Sequence, residues 1–165
     1  MATPTNLPAS FTSGDVLTAV NMNNLRGAFR ILQVVSANYS TTVSSASTTY
    51  VDSGLSATIT CQATSSKVLV LINQVGYTSS GGTEEAVRLV RNLPTDPTVL
   101  QTQTGCVYSA GSAVSGAVSF IYLDSPASTS AITYRTQLSR SVGTGTVYLQ
   151  VNSIPSNITL FEVSA

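Results

Sequence analysis

Histidine and tryptophan are absent from this 165-residue chain, lysine occurs once, and charged side chains make up only 8% of it. Each shortage excludes something. Without histidine there is no Ser-His-Asp or Cys-His nucleophile activation, no HExxH-type zinc site and no imidazole pH switch. One lysine and six scattered arginines form no basic patch that could follow a phosphate backbone, so nucleic acid is not an expected partner. No apolar run approaches the roughly 18 to 20 residues that a membrane-spanning helix needs, and no membrane partner is expected. The opening residues lack the basic start and continuous apolar core of a secretory signal. The expectation is a soluble chain, made and kept in a cytoplasm until something else releases it. Cys61 and Cys106 form no CxxC clip, so no metal site is expected. They read as buried or free thiols, with a disulfide formed in oxidising surroundings as the alternative.

What is present is hydroxyl and β-branched. Ordinary domains carry about 25% charge, whereas this surface must be polar through 25 serines and 23 threonines. Nineteen valines, with Ile, Thr and Tyr, favour a pleated surface. Residues 1–12, with Pro4 and Pro8, read as an extended arm. A short helix is expected next, with Thr18 as N-cap and Leu17 and Met22 as a hydrophobic staple. Met22, Leu25, Phe29 and Leu32 then form one apolar stripe, weakened by Gly27. That helix packs either on its own domain or on copies of itself and a larger assembly.

From about residue 32 the pattern turns to period two. Leu55, Ala57, Ile59 and Cys61 alternate with Ser56, Thr58 and Thr60; Ile132, Tyr134, Thr136 and Leu138 alternate in the same way, as do Val147, Leu149 and Val151. Val68 to Val75 and Ala117 to Leu123 are apolar on both faces, marking either central strands or strands whose second face meets another subunit. Runs near 32–39, 47–52, 55–62, 67–75, 84–92, 98–103, 105–109, 116–124, 131–139, 145–152 and 158–163 give eight to ten strands. The fold expected is mainly β: an antiparallel, jelly-roll-like β-sandwich over residues 32–165, preceded by an arm and one short α-helix in 1–31.

Candidate sites are few. The carboxylates are scattered, and Glu84 and Glu85, adjacent on an expected strand, point to opposite faces and cannot share a substrate. No catalytic residue, metal or cofactor is expected. Calcium at Asp52 or Asp96 lacks the spacing of a calcium loop, and an ordinary turn is the simpler reading. Arg88 and Arg91 either pair with Glu84, Glu85 or a neighbouring subunit, or are solvated edge charges, the simpler reading. Asp15 suits a helix start, and Arg26 and Arg30 lie on the helix's polar side. Among seven tyrosines, Tyr77, Tyr108 and Tyr122 are the candidate ligand or interface aromatics, though most tyrosines here should be core or interface residues.

The segment containing Phe11, Gly14, Asp15, Leu17, Thr18, Asn21, Met22 and Asn23 resembles the N-terminal element of fibre and virion-appendage proteins of tailed bacteriophages. The runs at 31–35, 49–60 and 65–70, with Tyr122, Asp124, Pro126, Thr133, Tyr134, Arg135, Gly145, Val147, Tyr148 and the closing Ile158 to Glu162, are similar to the β-domains of such proteins. The resemblance covers about residues 11 to 165. It implies a non-enzymatic virion structural protein, a trimeric short fibre or capsid decoration protein made in the host bacterial cytoplasm. Other virion proteins, of capsid, portal or tail, would be met through the N-terminal arm. Phe11, Leu17, Met22, Leu25 and Phe29 are the attachment or trimer-contact residues on this reading. The alternative is a receptor-binding fibre tip recognising a host surface glycan.

Overall fold

The computed structural model describes residues 16, 18, 31–93 and 96–164. The expected arm and the helical stripe through Phe29 lie outside those residues. Leu32, the last member of that stripe, is not helical: it belongs to the first strand. The helical segment among the described residues is a single 3₁₀ turn, Val151–Ser153.

Ten strands follow in order: β1 (Ile31–Tyr39), β2 (Val43–Ser45), β3 (Val51–Thr60), β4 (Lys67–Thr78), β5 (Thr83–Leu93), β6 (Asp96–Ser109), β7 (Val114–Asp124), β8 (Ala131–Val142), β9 (Val147–Leu149) and β10 (Ser156–Val163). They form two antiparallel sheets. In the first, β4 pairs β7 on one side, and on the other pairs β10 through residues 67–73 and β9 through 76–78. β1 pairs β10 and β2 pairs β9. Thus β1 with β2, and β9 with β10, are each one interrupted strand, and the sheet has four ranks: β1/β2, β9/β10, β4, β7. The second sheet runs β3-β8-β5-β6. Two four-rank antiparallel sheets wound in this order are a jelly roll.

The period-two pattern fills the space between the sheets. Leu55, Ile59, Ile132, Tyr134 and Leu138 are at most 1% exposed, and meet Val68, Val70, Phe120, Ile158 and Leu160 from the first sheet. Glycines merge two pairs of the eleven apolar runs, leaving nine, and the three-residue β2, which no run covers, is the tenth strand. Gly54 (φ 82°) and Gly105 (φ 70°) sit inside β3 and β6 as left-handed bulges where the register slips, so each joins two runs that periodicity separates. The run expected over 145–152 stops early. Gln150 (φ 55°), Asn152 (φ 56°) and Ser153 (φ 59°) turn left-handed, break the ladder after Leu149 and let the chain rejoin it at Ser156.

Candidate interaction surface

The outer faces of the two sheets differ in chemistry. On the second sheet, Arg88 stacks its guanidinium 4.0 Å over the Tyr50 ring and donates through Nε to Gln137 Oε1 at 2.8 Å. Gln137 Nε2 donates to Asp52 Oδ1 at 2.6 Å, and Arg135 Nη1 pairs with Asp52 Oδ2 at 2.9 Å. Ser141 donates to Glu84 Oε1 at 2.6 Å, and the Thr58 and Thr133 hydroxyls meet at 2.8 Å. This face is charged, hydrogen-bonded and wet.

The outer face of the first sheet carries side chains in rows set by the strand register. One row is Val34, Phe161, Leu69 and Leu123; the next is Ser36, Thr159, Leu71 and Ile121. Then come Asn38, Asn157, Asn73 and Ser119, and at the far end Ser44, Tyr148, Tyr77 and Ser115. None of these side chains is charged. Ile121 is 75% exposed, Leu123 and Val34 54% each, although all three are strongly apolar. A shallow depression of about 400 Å³ lies between Leu71, Asn73, Ser119, Ile121, Asn157 and Thr159. Four ranks about 4.8 Å apart and three rows spaced two residues apart make this on the order of 400 Å² of sheet, a size at which exposed apolar patches mark interaction sites.

Apolar residues on both faces of β4 and β7 have two different outcomes. β4 lies at the centre of its sheet. β7 pairs only β4, so it is an edge strand whose outward residues, Ile121 and Leu123, face away from the core.

The sequence candidates distribute as follows. Phe11, Leu17, Met22, Leu25 and Phe29 lie outside the described residues. The three tyrosines are not brought together: Tyr77 is on the outer face of β4, tilted against Tyr148 with ring centroids 5.6 Å apart. Tyr122 packs against the core from β7, and Tyr108 stands 54% exposed on β6 in the other sheet. Glu84 and Glu85 do point to opposite faces, Glu84 outward and Glu85 fully buried. Asp52 is taken up by Arg135 and Gln137; among the described residues no acidic, cysteine or histidine cluster could hold a metal. Cys61 and Cys106 are free thiols. Burial pushes both up, Cys106 to about 11.

The arginine expectation needs correction. β5 is not an edge strand but lies between β8 and β6. Arg88 joins the polar network on its outer face, while Arg91 turns to the other end and pairs with Asp124 at 2.8 Å. Neither Arg–Asp pair uses Glu84 or Glu85. Two interior polar knots escaped the sequence reading. Tyr134 donates to Asp124 Oδ2 at 2.7 Å beside Arg91, and burial, then that hydrogen bond, push the phenol pKa up. Glu162 accepts from Gln33 Nε2 at 2.6 Å and from the Gln62 N–H at 2.7 Å. Strand parity was the available signal: Asp124 shares the inward face of β7 with Phe120 and Tyr122, and Glu162 that of β10 with Ile158 and Leu160.

No family model matches the chain, and no curated protein matches it significantly. Among solved structures it is similar to the VP2 subviral particle of infectious bursal disease virus, with a TM-score of 0.44 and 16% identity, covering 81% of this chain and 38% of that one. The Gx strain of the same virus gives 0.42 and 14%, covering 81% and 36%. Its T13 particle gives 0.43 and 13%, covering 82% and 38%. The chain therefore spans under two-fifths of the structures it matches. A likeness of this extent carries no functional argument.

Proposed function

We propose that this chain is a non-enzymatic structural subunit of a virus particle, which assembles by turning the outer face of its first sheet, where Lys67 at one end is the lone charge among the described residues, onto further copies of itself. The observation that carries the reading is the contrast between the two outer faces. One is finished, with each of Arg88, Arg135, Asp52 and Glu84 held by a charged, polar or aromatic neighbour. The other leaves Ile121, Leu123 and Val34 in water beside a row of amides and hydroxyls. Covering it buries apolar area worth about 25 cal/mol per Å², and Lys67, at the end of the face, can keep its ammonium in water while its stem packs. Asn38, Asn157, Asn73 and Ser119 can exchange hydrogen bonds across such a contact, which fixes its register.

Three copies turned inward about a threefold axis would each meet two neighbours with this face, in keeping with the trimeric phage appendages that the N-terminal segment resembles. On this reading Phe11, Leu17, Met22, Leu25 and Phe29 attach the trimer to capsid, portal or tail, as a short fibre or decoration protein of a tailed phage. Mass photometry of the intact chain at micromolar and submicromolar concentration tests it. The expected species is a trimer, reduced to monomer by joint Ile121→Lys and Leu123→Lys substitution with an unchanged far-ultraviolet spectrum. A wild-type monomer at both concentrations overturns the proposal.

A further inference from the structure

The inward face of β4 changes character along its length. Val68, Val70 and Ile72 give way to Gln74, Gly76 and Thr78, still buried. Over this polar end lies Glu85 of β5, with 0% exposure. Neither carboxyl oxygen of Glu85 has a hydrogen-bond partner, nor does either side-chain polar atom of Gln74 or the Thr78 hydroxyl. The carboxyl is seated where Gly76 has no side chain: a Cβ built there would collide with Oε2 and lie 2.8 Å from Cδ.

The groups facing Glu85 supply no positive charge. β4 offers Gln74 and Thr78, both neutral. From β6 comes the Cys106 thiol, which burial keeps protonated. Arg140 of β8 stands opposite Glu85 in the register, but its Nη1 donates to the Gly145 carbonyl at 3.2 Å. On β5 itself, Glu84 turns outward to Ser141. Tyr148 of β9 lies on the outer face with Tyr77. An ionised carboxylate sealed here would lack a counter-ion and, with neither oxygen hydrogen-bonded, any engaged donor, whereas a neutral acid costs far less to bury.

We propose that Glu85 is a proton-held latch. Carrying its proton, it seats over Gly76 and lets β4 and β5 close on each other; releasing the proton to water, it forces this end of the sandwich to open and hydrate. Burial accordingly raises its pKa from 4.5 to about 8. The folded protein keeps the proton through a range in which the unfolded chain gives it up. Stability from this group is therefore full on the acid side of 4.5 and declines as pH rises towards about 8.

The test uses the full chain. Between about pH 5 and pH 8.5 the wild-type melting temperature should fall by about 5 °C or more, while Glu85→Gln should melt at one temperature throughout and above wild type at the alkaline end. Amide exchange in 74–78 and 83–87, corrected for its intrinsic pH dependence, should rise about tenfold over the same range in wild type only. Carboxyl-carbon NMR of the wild type decides the matter even if the variant fails to fold, because the chain has only three glutamates to assign. A Glu85 carboxyl titrating in the ordinary carboxylate range, or a variant with the wild-type pH slope, overturns the latch.

Discussion

Arg91 and Asp124 tie the two sheets together: Arg91 Nη1, on β5 of the second sheet, lies 2.9 Å from Asp124 Oδ1 and 2.8 Å from Oδ2, at the end of β7 in the first. Tyr134 of β8 donates to the same carboxylate, and the Ser125 N–H donates to its Oδ1 at 2.9 Å. The pair is nearly sealed, with side-chain exposures of 15% and 6%. Removing one member strands a buried charge, at a cost of about 3 to 5 kcal/mol. Asp124→Asn should therefore lower stability by about 3 kcal/mol in urea unfolding. Replacing both partners, Arg91→Met with Asp124→Leu, should cost less than either single change, because no charge is left behind. Additive losses would show that the pair contributes nothing beyond its separate parts.

The proposed trimer contact makes a prediction about salt. Its rows from Leu69 to Tyr77 carry no charged residue and Lys67 stands alone at one end, so screening has little to weaken. Raising sodium chloride from about 0.05 M to about 0.5 M should leave the trimer dissociation constant within about twofold, or tighten it. Analytical ultracentrifugation measures this directly. A contact that loosens about tenfold with salt would place the interface on the charged face around Arg88, Asp52 and Arg135 instead.

How far the fold could be read from sequence depends on which residues decide each element. Leu55, Ala57, Ile59 and Cys61 are buried as their alternation demands, because one face of β3 meets the core along its whole length. Gly54 and Gly105 read as breaks, yet a left-handed glycine inside a paired strand continues it as a bulge, and only the partner strand reveals this. Val151 fits the alternation begun by Val147 and Leu149, but the left-handed turn of Gln150 removes it from the ladder. The candidate surface was half legible. The two apolar faces of β7 were visible in sequence, whereas its place at a sheet edge follows from pairing with β4 alone. Arg91 and Asp124 are 33 residues apart and on different sheets, so nothing local announces their contact.

Two glycines separate backbone strain from crowding. Gly54 has φ 82° and lies under the Tyr39 ring, whose Oη would be 2.8 Å from an added Cβ; Gly82 has φ 70° and open space around it. Gly82→Ala should cost about 1 kcal/mol, the backbone penalty alone. Gly54→Ala adds a collision and should cost about 3 kcal/mol. Tyr39→Leu in the Gly54→Ala background should recover part of that difference, read from paired denaturation curves. Equal costs at the two glycines would remove Tyr39 from the account.

Glu162 gives the acid side of the pH profile. Burial works to raise its pKa, but the polar groups around it, the Ser66 hydroxyl, Gln33 Nε2 and the Gln62 and Ala63 N–H groups, outweigh it and hold the carboxyl below the usual carboxylate range. As pH falls, the unfolded chain takes up this proton before the folded protein does. The stability contributed by Glu162 is thus full above the ordinary carboxylate pKa and is lost as pH drops through the folded-state value. Its sign is opposite to that of Glu85, so the wild type should be most stable near the ordinary glutamate value of 4.5 and weaken on both sides. Glu162→Gln should flatten the acid limb below about pH 4.5 while leaving the alkaline limb in place, and Glu85→Gln should do the reverse. Urea unfolding midpoints across about pH 3 to pH 9 separate the two, since each limb is assigned to one carboxyl on a different strand. If Glu162→Gln leaves the acid limb unchanged, Glu162 does not govern acid unfolding and the assignment of that limb falls.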